Sequence, residues 1–243
     1  MPEAIYDTIG VNYADLRRPD PRIAALIDGA LGDAQTVLNV GAGAGSYEPA
    51  QRIVTALEPS AAMIAQRPAG AARAVQGVAE VLPFPDRSFD AAMAILSVHH
   101  WADQPQGLRE LRRVARGAVA VLTFDPQARP WLTDYLPELA ALDEAQMPAM
   151  PNYARHLGPV DIKPVPVPRD CSDGFLYAYW ARPAAYLDPR IRTGSSSFWK
   201  LPAAQAGLAQ LDADLRSGAW QGRYGHLLEQ DALDLGYRLV VTR

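Results

Sequence analysis

The chain has 243 residues, 49% of them hydrophobic and 21% charged, enough apolar material for one ordinary core. Its formal net charge is −4, and lysine occurs only at Lys163 and Lys200, so no basic block marks it as a nucleic-acid binder. A single cysteine, Cys171, excludes an internal disulfide.

The opening MPEAIYDTIG has no basic stretch followed by an apolar run, and no later apolar run approaches the roughly 20 residues needed to span a bilayer. A cytoplasmic protein with no membrane partner is expected. After the turn-forming Pro19-Asp20-Pro21, residues 22–31 space apolar side chains like a helix. Residues 36–40 (TVLNV) are short and β-branched and run into glycines, as a buried strand does. Residues 53–58 form a second strand, and Ser60 opens a helix over 60–66. A third strand is predicted over 71–77. A fourth, over 89–96, is almost wholly apolar, as expected of a strand covered on both faces. A helix over 107–115 and a fifth strand over 117–124 follow.

The second half is less regular. Residues 131–143 read as a helix and 160–168 as a proline-bearing edge strand. Two or three helical stretches over 174–230 are interrupted by Pro183, Pro189 and Pro202, and residues 237–243 make a last strand. Strands alternating with helices predict an α/β fold, a doubly wound and mainly parallel sheet. One domain over 1–243 is expected, with a helical lid over 169–232 inserted before the last strand.

Gly41, Gly43 and Gly45 alternate directly after the first strand. Glycines let the chain bend sharply and leave room for a ligand beside the backbone. A dinucleotide fingerprint needs its third glycine at the sixth position, where Ser46 stands, so NAD and FAD are disfavoured. Glu58 ends the second strand, where a carboxylate accepts hydrogen bonds from ribose hydroxyls in nucleoside-binding sheets. A tight turn and a solvated strand-end acid are the alternatives for these two features.

The stretch from Gln76 to Asp90, QGVAEVLPFPDRSFD, is the longest motif. Together with the glycine loop and Glu58, it resembles the type 11 branch of the class I S-adenosylmethionine-dependent methyltransferases. The resemblance runs over about residues 36–124 and implies a Rossmann-like methyltransferase fold with seven strands. It also implies S-adenosylmethionine as cofactor and methyl transfer to O, N or C of a small-molecule acceptor. It assigns Asn39, Gly41, Gly43, Gly45 and Glu58 to the cofactor, and Ala79, Glu80 and Leu82 to the adenine. Phe84 and Phe89 are read as core. Two positions depart from the family: Asn39 replaces an acid, and Val78 replaces the Asp that meets the adenine amino group.

The N-terminal segment 1–20 resembles one that covers the cofactor, with Tyr13 over the sulfonium and Arg18 on the carboxylate. After the fourth strand, His100, with His99 second, is the candidate general base, as imidazole takes protons near neutral pH. Adjacent side chains are expected to diverge, which argues against a histidine metal pair. Asp125 either faces the pocket or caps a turn. Binding of the cofactor without methyl transfer is the alternative function, and the absence of a basic patch argues against RNA modification.

Overall fold

The computed structural model describes residues 16–201 and 204–243. The first half follows the alternation read from the sequence: α1 (Pro21–Ala30), β1 (Thr36–Val40), β2 (Ile53–Glu58), α2 (Ala61–Ala65), β3 (Arg73–Gln76), β4 (Ala91–Ile95), α3 (Gln104–Val114) and β5 (Val119–Phe124). Helix starts are chemically marked. Asp20 accepts the Arg22 amide at the head of α1, and Asp103 accepts the Gln106 amide at the head of α3. In each case proline sits in the first turn, where its missing N–H costs nothing. Helix α3 buries Leu108, Leu111 and Val114, one apolar stripe. Every residue of β5 is buried, as expected of a central strand with helices on both faces.

Seven strands pair in the order β3-β2-β1-β4-β5-β9-β6, where β6 is Val160–Pro164 and β9 is Tyr237–Thr242. Strands β1 to β5 run parallel, and β9 is antiparallel to both its neighbours. The order reverses between β1 and β4. The crevice beyond their C-terminal ends is the place where such sheets bind ligands.

The second half departs from the expectation at its prolines. Residues 131–143 are not one helix. A 3-10 turn, Trp131–Asp134, precedes α4 (Pro137–Gln146), because Pro137 disfavours helical backbone at Leu136. An unpredicted α5 (Met150–Leu157) packs on α3. The edge strand stops at Pro164, and β7 (Val167–Pro168) leaves to pair with β8 (Ala232–Leu233). Before the last strand come a 3-10 turn at Pro183–Leu187, α6 (Pro189–Arg192), α7 (Ser196–Trp199), α8 (Ala204–Ser217) and α9 (Ala219–Tyr224). Pro183 and Pro189 open elements here instead of breaking them. Pro202 lies outside the described residues. Trp131 is the hub of an aromatic cluster that joins this stretch to the sheet, with Trp220 and Tyr186 edge-on at 5.3 and 5.7 Å. Among the described residues no helix is long and apolar enough to cross a membrane.

Candidate functional site

The loop after β1 bends as its glycines require. Gly41, Gly43 and Gly45 have φ of +70°, +52° and +98°. At Gly41 a Cβ would lie 2.5 Å from Ser97 Cβ, so the tips of β1 and β4 touch there. Ser97 donates to the Val40 carbonyl at 2.9 Å and ties the two tips together. Just before it, Leu96 adopts φ +50°, a strained conformation for a branched side chain.

Glu58 sits at the neighbouring tip of β2 and is 5% exposed. Its Oε2 accepts the Gly43 amide at 2.8 Å and its Oε1 accepts the Ser60 amide at 3.0 Å. The carboxylate therefore fixes the glycine loop, a role the spacing alone did not reveal.

Asn39 is buried and donates through Nδ2 to Glu48 Oε1 at 3.1 Å, while its buried Oδ1 has no hydrogen-bond partner among the described residues. The acid missing at position 39 is thus present behind it. Glu48 is itself paired with Arg67 at 2.6 Å, and Arg67 also donates to the Gly43 carbonyl. A buried carbonyl oxygen left unpaired is costly, and a donor on a ligand would satisfy it.

The segment assigned to the adenine is pinned to α3. Ala79 and Leu82 are buried in the core, the Leu82 amide donates to Glu110, and Glu80 accepts the Asp103 amide at 3.0 Å. Gln76 donates to the Pro59 carbonyl. Most of the long motif is a structural latch. Asp90 accepts from the Gln35 and Thr36 amides, the Thr36 hydroxyl and Arg116. Arg113 binds Glu110, Asp86 and two carbonyls of the loop. Phe84 and Phe89 pack edge to face on each other and lie against the core. Trp101, given no role from the sequence, fills the space that Gly107 leaves, close to Gly41.

Tyr13 lies outside the described residues. The arginine that reaches the interior is Arg17. Arg18 is exposed, because successive residues of an extended segment face opposite ways. Arg17 pairs with the fully buried Asp173 at 2.7 Å, and Tyr47 donates to the same carboxylate at 2.9 Å. Burial pushes the Tyr47 hydroxyl far above its ordinary range, so it stays a donor.

Beyond the tip of β4 lies a narrow, partly open void of about 50 Å³. Its wall includes Arg17, Leu96, His99, His100, Phe124, Asp143, Tyr177 and Ser195 to Ser197. Both histidines named from the sequence line it. Their rings do not diverge as expected: the centroids are 3.9 Å apart. Burial, helped by the charges of Lys200 and Arg17, pulls His100 down to about 4. Burial, with His100 beside it, also moves His99 well below the imidazole range. Both are neutral at pH 7, and His100 is a weak base. Among the described residues no three His, Cys, Asp or Glu side chains gather as a metal site. Asp125 caps a turn by accepting the Gln127 amide. Cys171 is buried, and burial raises its thiol to about 12, so it is no nucleophile. Asp143 and the serines of 195–197 went unnoticed in the sequence, since no local spacing marks them.

A methyltransferase-domain family profile matches residues 38–122. A solved protein from Anabaena variabilis ATCC 29413, described as a methyltransferase from an antibiotic biosynthesis pathway, is 34% identical. The likeness covers 94% of this chain and 99% of that one, with a TM-score of 0.86. An uncharacterized methyltransferase of Bacillus subtilis (strain 168) is 32% identical over 119 residues, 44% of each chain. The chain spans less than half the length of the curated relatives it matches. A solved [4+2]-cyclase shares the fold alone, at 18% identity and TM-score 0.58, over 98% of this chain and 94% of that one.

Proposed function

Because the chain belongs to the class I S-adenosylmethionine-dependent methyltransferase family, we propose that it transfers the methyl group of S-adenosylmethionine to O, N or C of a small molecule. One observation supports this most strongly. The bend at Gly41, Gly43 and Gly45 meets the Glu58 carboxylate and the unpartnered Asn39 Oδ1 at adjoining strand tips. An adenosyl amino acid offers the matching groups: ribose hydroxyls for Glu58 and an ammonium N–H for Asn39. The residues present thus fit the cofactor. Its bound form would supply an electrophilic methyl on a sulfonium.

The chain's own residues do the rest. Glu48 and Arg67 hold Asn39 and the loop carbonyl in place. Ala79, Glu80 and Leu82 form the backbone wall assigned to the adenine, held rigid by α3. His99 and His100 present neutral imidazoles to the void beside Ser97, and His100 Nδ1 or Nε2 accepts the acceptor's O–H or N–H. A base this weak takes the proton late, once the nucleophile has lost electron density, and its main contribution is alignment. The helices of 169–232 act as the lid over the void, and the covering segment read over residues 1–20 lies mostly outside the described residues. The protein acts in the cytoplasm, without a nucleic-acid partner.

Calorimetry with S-adenosylmethionine and S-adenosylhomocysteine tests the reading. Saturable 1:1 binding of both is expected, and no affinity for either would overturn it.

A further inference from the structure

The void beyond the histidines contains a carboxylate that alignment of a methyl group does not require. Asp143, on α4, is 2% exposed and lines the same cavity as His99 and His100. Tyr177 donates to its Oδ2 at 2.8 Å. Asp143 forms no ion pair among the described residues, and Arg129, the cation that acts on it from a distance, is paired with Glu144. The neighbouring wall is apolar, with Phe124, Met147, Phe175 and Tyr237. An ionised carboxyl in such surroundings is costly unless a cation meets it, and an apolar residue of like volume would be better tolerated. Burial raises its proton affinity, with a pKa of about 6, so at pH 7 it is mostly an uncompensated anion.

The charges around the void are also sorted. Lys200 and Arg17 act on the histidines, Lys200 donates to Gln146, and Arg17 is paired with Asp173. Positive charge therefore gathers near the imidazoles, and the uncompensated negative charge is on Asp143.

We propose that Asp143, oriented by Tyr177, anchors a protonated amine, so that the substrate is a small molecule with an apolar body and one basic nitrogen. The proposal rests on the methyltransferase reading for what is done to that molecule. An ammonium has no lone pair, so this nitrogen is the handle and not the methylated atom. Tyr177 is a positioning residue, since its hydroxyl meets the carboxylate and leaves the other oxygen to the ligand.

Calorimetry with 2-phenylethylamine, 2-phenylethanol and phenylacetate, each with and without saturating S-adenosylhomocysteine, tests it. These probes share one body and differ in the head group. The amine is expected to bind at least tenfold more tightly than the other two. Asp143→Asn should erase that preference, while its affinity for S-adenosylhomocysteine stays within twofold of the parent. Tyr177→Phe, which keeps the ring and the packing, should weaken amine binding several-fold. Equal binding of the three probes, binding of none, or an amine preference that survives Asp143→Asn would overturn the proposal. If S-adenosylhomocysteine fails to bind while the amine binds, the methyltransferase reading falls and the anchor stands.

Discussion

Replacing Glu58 by glutamine separates two roles that one carboxylate holds. Its two oxygens accept the Gly43 and Ser60 amides at 2.8 and 3.0 Å. Glutamine keeps one acceptor and turns an NH2 toward the other amide. One charge-assisted hydrogen bond is lost, and a buried N–H is left facing another donor. Each such change is worth about 1–3 kcal/mol, so unfolding in urea should show a loss of about 2–6 kcal/mol at unchanged m-value. The ligand role is a separate quantity. Losing a charged acceptor for the ribose hydroxyls should weaken S-adenosylhomocysteine by about 1–3 kcal/mol, or roughly 5- to 150-fold, measured by calorimetry on folded protein. Ser60→Ala supplies the control. It removes the cap that accepts the Met63 amide at 3.1 Å, costs about 1 kcal/mol of stability, and should leave affinity within twofold. If Glu58→Gln unfolds as expected but binds S-adenosylhomocysteine like the parent, Glu58 is only a staple for the loop and the ribose assignment is wrong.

Gly41→Ala places a Cβ 2.5 Å from that of Ser97 on a residue with φ +70°. Left-handed backbone and overpacking together should destabilise by about 2–4 kcal/mol in urea, and adding Ser97→Gly should restore the packing part while leaving the backbone part. Non-additivity of zero in that cycle would show that the two tips do not press on one another. His100 has a folded pKa of about 4, below its ordinary 6.5, so its contribution to stability is present above pH 6.5 and is lost as pH falls through 4. Asp143 acts in the opposite sense. Its folded pKa of about 6 gives stability at low pH that is lost as pH rises through 6. In His100→Asn, stability should therefore fall less between pH 7 and 4 than in the parent, by about 2–3 kcal/mol after allowing for partial exposure. Parallel stability profiles would refute the burial of that imidazole.

Much of the fold and of the geometry around the glycine loop was legible in the sequence, for a local reason. A β-branched run ending in alternate glycines, an acid before Pro59-Ser60, and apolar repeats at helical spacing each act within a few residues. The backbone at Gly41, Gly43 and Gly45 and the position of Glu58 follow from such local rules. The long motif from Gln76 to Asp90 was equally visible, but its purpose was not. Asp90 and Arg113 spend it on holding β1, β4 and α3 together, through contacts with Thr36 and Leu82.

What tertiary structure alone decided lies in pairs that are far apart in the sequence. Arg17 meets Asp173, Tyr177 meets Asp143 and Tyr153 meets Thr123 across 156, 34 and 30 residues of sequence. Such pairs leave no periodic trace, because the side-chain pattern of an element records which face is buried and not what it is buried against. Whether Arg17 or Arg18 turns inward depends on a bridge to Asp173 that forms only once the chain beyond β6 folds back over the sheet. The same folding back turns an unremarked aspartate of α4 into a buried charge facing a void, since burial, unlike bend or spacing, is a property of the whole molecule.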